Sequence, residues 1–594
     1  MLKNLFHTLW RILKSDFKKT PFLWISLVAV LVVIIDIGFP LLDIITNFFY
    51  LFYLAVLWSA VVSIFYRYSK NFRGKNLGIW IFDFLTLLFF MFLLFSRMGW
   101  LNSLTEWASF LNGYFWIYLG IVLYFIREFS DKKIHLSKLQ LNPAQLFIVI
   151  FSALIFVGCI FLLLPNATNE GISFIDALFT ATSAVCVTGL VVVDTGTYFT
   201  QFGQTVILIL MQLGGIGIMT FASYFSYFFK GGSSYENQLL LKDMTNSDKI
   251  SEVFQTLKKI IFLTFFIEAI GAVIIFFSLD TSTIALFSDQ VFFAFFHSVS
   301  AFCNAGFSTL SSGLYEPAFR FNYPLHLIIS VLFILGSIGF PIIFNVFKYL
   351  KFYILKKLTP YRKKQKPINL LWIVNLNTRI ILSTTLILIV GGTFLFFIIE
   401  YNNSLRDLNF IGKVVTSFFG STARTSGFNT FDTGTLNFTT LMLLMVLMWI
   451  GGSPASAAGG IKTSTFAIAS LNIFNLAKGR DRIEVFGREI AEISIRRSFA
   501  IIMLSFMAIG IAVVCVSAME TDFSLLSIIF ECVSAYSTTG YSMGITGELS
   551  TGSKLVITLT MFLGRITMLT VLIAFLRKAR FANYRYPTEE ILIN

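Results

Sequence analysis

Four short strings carry the chemistry of this chain: Ser183–Leu190 (SAVCVTGL), Ser300–Phe307 (SAFCNAGF), Ser421–Phe428 (STARTSGF) and Ser534–Tyr541 (SAYSTTGY). Each places a small or hydroxyl-bearing residue before a glycine and a bulky apolar or aromatic residue after it. Glycine weakens helices and strands, so its usual justification is a backbone at positive φ or a very close neighbour. A single such string reads as a helix cap or a tight turn. Here Gly189, Gly306, Gly427 and Gly540 stand 113 to 121 residues apart, and Ser183, Ser300, Ser421 and Ser534 lie six positions before them. Phe179, Phe296 and Phe530 match ten positions upstream, where the third copy has Ser417. Four strings in one register are an internal repeat. None contains Asp or Glu, so what they offer is backbone carbonyls and hydroxyls. Such groups replace the water shell of a cation; a carboxylate ring of the kind that selects divalent ions is absent.

The elements that position these strings are membrane helices. Of 594 residues, 56% are hydrophobic and 13% charged, and the mean hydropathy is +0.80, values that mark an integral membrane protein. Leu77–Phe95, Phe147–Leu164 and Ile380–Ile399 have the length that crosses about 30 Å of hydrocarbon, and such continuous runs exclude a barrel. Four apolar runs precede residue 130: Pro21–Phe39, Leu41–Phe65, Leu77–Phe95 and Gly113–Ile126. From Leu141 on, the chain repeats a full-length span, a run of about 12 residues ending in the glycine string, and another full-length span, twelve spans in all. A helix of 12 residues covers about 18 Å and cannot cross the bilayer. Non-helical backbone after it is tolerated only inside protein or against water. The expected fold is therefore an all-α membrane protein of four M1–pore loop–M2 units around a central pore, with four extra N-terminal helices. Its boundaries are 1–135, 136–245, 246–366, 367–490 and 491–594. The net charge of +14 falls between apolar runs, in the basic start MLKNLFHTLWRILKSDFKK and in Lys230–Lys259, Lys348–Lys366 and Lys478–Arg497. Asn166–Gly171, Leu279–Asp289 and Tyr401–Asn409 are poorer in Lys and Arg, which puts both termini in the cytoplasm and argues against nucleic acid.

The four-unit plan, together with TSAVCVTGLVVVDTG, HSVSAFCNAGFSTL, STARTSGFN and GGSPASAAGGIKTST, resembles the Trk/Ktr/HKT potassium transporter superfamily, specifically its membrane-embedded translocating subunit, over about residues 140 to 585. The resemblance implies K⁺ as the transported ion. It places the filter carbonyls on Val187, Thr188 and Gly189, on Asn304, Ala305 and Gly306, on Thr425, Ser426 and Gly427, and on Thr538, Thr539 and Gly540. It further implies a homodimer in the cytoplasmic (inner) membrane, in contact with lipid, on a separate cytoplasmic nucleotide-binding regulatory subunit docked to the basic inner loops. No cofactor is expected in this chain, and Na⁺ or H⁺ coupling or activation is open.

In the third unit, Gly451, Gly452, Ser453, Pro454, Gly459 and Gly460 make a continuous helix improbable after Leu436–Ile450. By the resemblance this segment is an intramembrane gate below the filter; a passive kink is the plainer reading. Lys462 places a positive charge near the cation path or snorkels to the interface. Arg565, in MFLGRITML, is expected by the gate, a structural pairing being its rival. Arg424 and Glu268 are expected to hold filter backbones in place, with a pairing between the two as one option. The GGIGIM run at Gly214 lacks the strand context of a nucleotide loop and reads as helix packing. The N-terminal helices lack an arginine at every third position, which counts against a voltage sensor and leaves packing or assembly. An alternating-access cation transporter is the alternative function, which the fourfold register disfavours. An enzyme is not expected: His7, His135, His297 and His326 are scattered, with no HExxH or GxSxG constellation. Cys159, Cys186, Cys303, Cys515 and Cys532 show no CxxC spacing, so neither a disulfide framework nor a metal site is indicated.

Overall fold

The computed structural model describes residues 21–40, 42–70, 77–97, 113–130, 143–217, 253–279, 284, 286–358, 374–480 and 482–575. The basic amino terminus, residues 230–252 and 359–366 of the basic connections, and the chain beyond 575 lie outside the described residues. Helices α1 (Pro21–Gly38), α2 (Asp43–Lys70), α3 (Leu77–Arg97) and α4 (Tyr114–Ser130) form an N-terminal bundle with its own apolar core around Tyr53, Leu57, Phe90, Leu93 and Ile121. Several of its charged and polar side chains pair inside it. Arg127 pairs with Asp83, Arg67 with Glu128, and the Tyr53 and Tyr118 hydroxyls each donate to Asp36 at 2.8 Å. A charge at membrane depth is expensive unless paired.

Each following unit begins with a long helix: α5 (Pro143–Leu162), α8 (Val253–Ser278), α12 (Leu376–Glu400) and α16 (Glu492–Met519). A short pore helix comes next: α6 (Phe174–Val185), α9 (Phe287–Cys303), α13 (Phe410–Thr422) and α17 (Leu525–Ser537). Three of these start on a capping side chain that accepts a backbone N–H: Ser173 from Asp176, Asn409 from Gly412 and Ser524 from Ser527. These caps occupy donors that a buried helix start would otherwise leave unpaired.

The second helices are shorter than the sequence suggests. They are α7 (Gln201–Gly215), α10 (Tyr323–Ile338, continued after a bend of 102° by α11, Phe340–Leu358), α14 (Phe438–Trp449, resuming as α15, Thr463–Ala477) and α18 (Thr551–Ile566, followed by α19, Met568–Phe575). Each stops at a backbone break: Gly217 at φ 81°, Gly339 at φ 87°, Thr567 at φ 69°, and in the third unit the glycine-rich loop. The expectation of an uninterrupted second span is thus corrected in units two and four, whereas the break in the third unit is the one the glycine-rich segment predicts. Six described helices are long and apolar enough to cross a membrane by themselves, or seven if the bent α10–α11 pair counts as one span. The Lys478–Arg497 connection folds into a hairpin, β1 (Glu484–Val485) against β2 (Arg488–Glu489), whose turn residues Phe486 and Gly487 both have positive φ.

The units pack in a cycle. α7 of the first lies on α9 of the second, α10 on α13, α14 on α17, and α18 of the fourth returns to α6 of the first. One apolar core joins the first, second and fourth units, and another joins the second, third and fourth. The closing seam, where no connecting loop links the units, carries the Lys554–Asp176 ion pair at 2.8 Å.

Candidate ion-conduction site

The carboxyl ends of the four pore helices meet, and the backbone there answers the question posed by the glycine strings. In units one, two and four the helix ends on a left-handed residue: Val187 (φ 56°), Asn304 (φ 59°) and Thr538 (φ 47°). The residue after it donates its N–H back to the helix: Thr188 to Ser183 O, Ala305 to Ser300 O and Thr539 to Ser534 O. This is the usual satisfaction of orphan carbonyls at a helix end. The third unit differs. A 3₁₀ turn over Ala423–Thr425 replaces the left-handed residue, and Gly427 N–H reaches Ala423 O.

All four glycines then take positive φ: 85°, 72°, 73° and 98° in chain order. A Cβ added to Gly189 would strike Ala305 O, one on Gly306 Ser426 O, one on Gly427 Thr539 O, and one on Gly540 Thr188 O. The carbonyl preceding each glycine therefore lies on the glycine of the preceding unit, and four such contacts close a ring. Backbone at this separation leaves no room for any side chain. Leu190, Phe307, Phe428 and Tyr541 turn away into the apolar cores and are buried. The serine six positions upstream supports the ring in three different ways. Ser183 and Ser534 accept the N–H of the glycine in their own string at 3.1 Å, and Ser300 donates to Phe307 O at 2.7 Å. Ser421 instead turns to Ile389 O in α12.

On one side of the ring lies a cavity of about 560 Å³, lined by residues that follow all four glycines. Asp194 and Asp432 line it, each five positions beyond its glycine, in units one and three. The sequence reading confined its search for acids to the strings and so missed both. Their shared Asp-Thr-Gly context was the available signal.

On the other side lies the broken helix of the third unit. Gly451 N–H donates to Ile461 O at 2.9 Å, Ser453 N–H to Ser337 O at 2.9 Å and Ala457 N–H to Gly336 O at 3.1 Å. The Ser453 hydroxyl donates to Ile338 O. Gly459 faces the Thr538 side chain so closely that a Cβ would collide with it. Arg565 of α18 donates to Ala457 O and, at 2.6 Å, to Gly214 O at the end of α7. The loop is thus tied directly to the second unit, rests on the fourth, and is linked through Arg565 to the first. Lys462 does not extend away: its Nζ folds back onto Ala458 O at 2.7 Å.

Arg424 and Glu268 do not pair with each other. The Arg424 guanidinium, buried beside the third glycine string, donates to Ile450 O at 2.7 Å and Leu447 O at 3.3 Å, carbonyls at the end of α14 where the loop begins. Glu268 accepts from Gln212 Nε2 at 2.9 Å and from the Cys303 thiol at 3.7 Å, bracing unit one against the end of the second pore helix. Gly214 and Gly215 are packing residues, with Val185 O and the Cys303 side chain where a Cβ would stand.

The family of TrkH cation transport proteins matches residues 110–584 of this chain. The chain belongs to that family. It is similar to the Ktr system potassium uptake protein B of Bacillus subtilis, 35% identical over 455 residues, 76% of this chain and 97% of that protein. It is also similar to the potassium/sodium uptake protein NtpJ of Enterococcus hirae, 35% identical over 465 residues, 76% of this chain and 98% of that protein. The crystal structure of the potassium transporter TrkH from Vibrio parahaemolyticus superposes with a TM-score of 0.58 at 18% identity, covering 83% of this chain and 97% of that one. This likeness agrees with a mostly helical membrane fold. Helices α1 to α3 precede the segment matched by the family.

Proposed function

We propose that this member of the TrkH family takes up K⁺ across the cytoplasmic membrane through the ring of backbone carbonyls, and that the loop Gly451–Gly460 gates the path. The observation that carries the reading is the closed cycle of four positive-φ glycines, each lying against a carbonyl of the next unit. Asp194 and Asp432 raise the local cation concentration in the outer cavity. The carbonyls of residues 187–189, 304–306, 425–427 and 538–540 replace the ion's water, helped by the partial negative charge of the pore-helix ends. Beneath the ring the loop obstructs the path, and Lys462 and Arg565 add positive charge that a conducting ion must not meet. Opening therefore requires the loop and its Arg565 contacts to move.

Inward movement is driven by the membrane potential, about 2.3 kcal/mol per charge per 100 mV. The names of the Ktr relatives support a separate regulatory subunit, and the basic connections on the loop side would receive it, with the protein a homodimer and both termini cytoplasmic. The relative named for both potassium and sodium makes Na⁺ the competitor to measure.

The test is rubidium uptake and K⁺-dependent growth in an uptake-deficient bacterial host that also supplies the regulatory partner. Wild type should restore both, Gly306→Ser should relax preference for K⁺ over Na⁺, and deletion of Gly451–Gly460 should raise flux. Correctly inserted wild-type protein that moves neither K⁺ nor Rb⁺ overturns the substrate; unchanged preference in Gly306→Ser overturns the filter.

A further inference from the structure

Nine positions before each filter glycine, the pore helices carry Thr180, His297, Phe418 and Glu531. Two positions after the glycine stand Val191, Ser308, Asn429 and Ser542, all lining the outer cavity. In units two and four these positions bond to each other. His297 is fully buried; its Nδ1 lies 2.9 Å from Phe293 O and its Nε2 2.9 Å from Ser308 Oγ. Because a carbonyl only accepts, Nδ1 carries the proton and the neutral ring receives the Ser308 hydroxyl on Nε2. Ser308 Oγ in turn accepts Leu310 N–H at 3.1 Å. Glu531, also buried, accepts the Ser542 hydroxyl, Met543 N–H at 3.2 Å and the Thr546 hydroxyl at 3.1 Å. Both side chains reach past the filter and tie down the backbone that leaves it.

Units one and three form their pore loops without such a tie. Valine at 191 offers no polar atom, Thr180 Oγ1 and Asn429 Oδ1 have no hydrogen-bond partner, and Phe418 cannot make one. The tie is therefore not a requirement of the loop fold. Units two and four face each other across the cycle, as do units one and three, which carry Asp194 and Asp432 instead. The mouth is fourfold in its backbone and twofold in its chemistry.

We propose that His297 and Glu531 are positioning residues that set ion preference by fixing the outer filter backbone of units two and four through Ser308 and Ser542. The inference rests on the filter reading above. For Glu531 the role is geometric: a glutamine amide has the same shape, accepts from Ser542 and Met543 through its oxygen, and meets Thr546 through its nitrogen. A carboxylate acting by attracting cations could not be replaced in that way.

The experiment measures Rb⁺ uptake against Rb⁺ concentration, and its inhibition by Na⁺, for the full chain with its regulatory partner. The variants are Glu531→Ala, Glu531→Gln, Ser542→Ala, His297→Ala, Ser308→Ala and Gly306→Ser, each normalised to inserted protein and checked by thermal unfolding in detergent. Glu531→Ala and His297→Ala should each raise KM and lower Rb⁺ preference over Na⁺ about fivefold, the scale of a lost hydrogen bond, with Vmax changed less than about twofold. Glu531→Gln should restore most of the preference, and Ser542→Ala, which leaves the Met543 and Thr546 bonds in place, should reproduce part of the Glu531→Ala effect. If Glu531→Gln is as impaired as Glu531→Ala, charge rather than position is at work and the proposal fails. Unchanged constants in Ser542→Ala and Ser308→Ala also overturn it, and these two decide the matter if the buried-site variants do not fold. Should Gly306→Ser itself leave preference intact, the filter reading fails first, a result separable from the others.

Discussion

Replacing Gly427 by alanine tests the ring most directly. Its φ of 73° makes any Cβ strained, at a cost of about 1 to 2 kcal/mol. The new methyl would also meet the Gly540 carbonyl carbon at 2.6 Å and the Gly540 Cα at 2.7 Å, in addition to striking Thr539 O. These are backbone atoms with no rotamer to escape into, so a further overpacking cost of about 1 to 3 kcal/mol follows. The sum is about 2 to 5 kcal/mol, divided between lost stability and displacement of the Thr539 carbonyl. A tenfold change in preference corresponds to about 1.4 kcal/mol, so the part spent on displacement is enough to reduce K⁺ preference over Na⁺ at least tenfold. Two controls separate the terms. Gly479→Ala has the same strain, φ 65°, with nothing within 4 Å, and Gly510→Ala lies in a helix with open space around it. The first should lose about 1 kcal/mol of stability and the second should gain up to about 1 kcal/mol, both with ion preference unchanged. Rubidium uptake with Na⁺ competition, and thermal unfolding of the purified protein, read both quantities. Wild-type preference in well-inserted Gly427→Ala would refute the claim that this backbone contact sets selectivity.

Three further outcomes follow from other contacts. Arg565→Gln removes the forked contact to Ala457 O and Gly214 O together with its charge; uptake at saturating Rb⁺ should rise severalfold, and a fall would mean that Arg565 supports the open path instead. Asp194→Asn combined with Asp432→Asn should raise KM for Rb⁺ about threefold or more at low ionic strength and much less at physiological salt, because a mobile ion atmosphere screens such charges over about 8 Å; a KM insensitive to salt in both proteins would remove them from the entry path. Asp83→Ala should cost about 3 kcal/mol in the N-terminal bundle, since it removes the buried carboxylate that pairs with Arg127. Thermal unfolding checks this, and a melting temperature equal to wild type would show that the pair is not buried in the working protein.

The ring of glycine turns was legible because its physical requirement is local: a backbone that turns at positive φ among close neighbours leaves glycine as the residue of choice, and four copies in register cannot hide. The glycine-rich break after Ile450 was legible for the same reason. The second helices of units two and four were misjudged because hydropathy registers apolar length and is blind to a single residue such as Thr567 at φ 69° that ends a helix within an apolar run. The partners of Arg424 and Glu268 were out of reach. A buried charge announces that it needs a partner, but Arg424 found backbone carbonyls at 447 and 450 while Glu268 found Gln212. Backbone acceptors leave no trace in composition.

By itself, then, the sequence determined the environment, the four-part repeat and the positions where side chains had to be absent, since each follows from residue type and spacing along the chain. Only the tertiary structure decided the order of the units around the ring, the seam that Lys554 and Asp176 close, and the alternation of tethered and acidic units at the mouth. Those depend on which residues meet across hundreds of positions, as Lys554 with Asp176 or Arg565 with Gly214. Contacts of that kind are set by packing of whole helices, and no pattern within one segment encodes them.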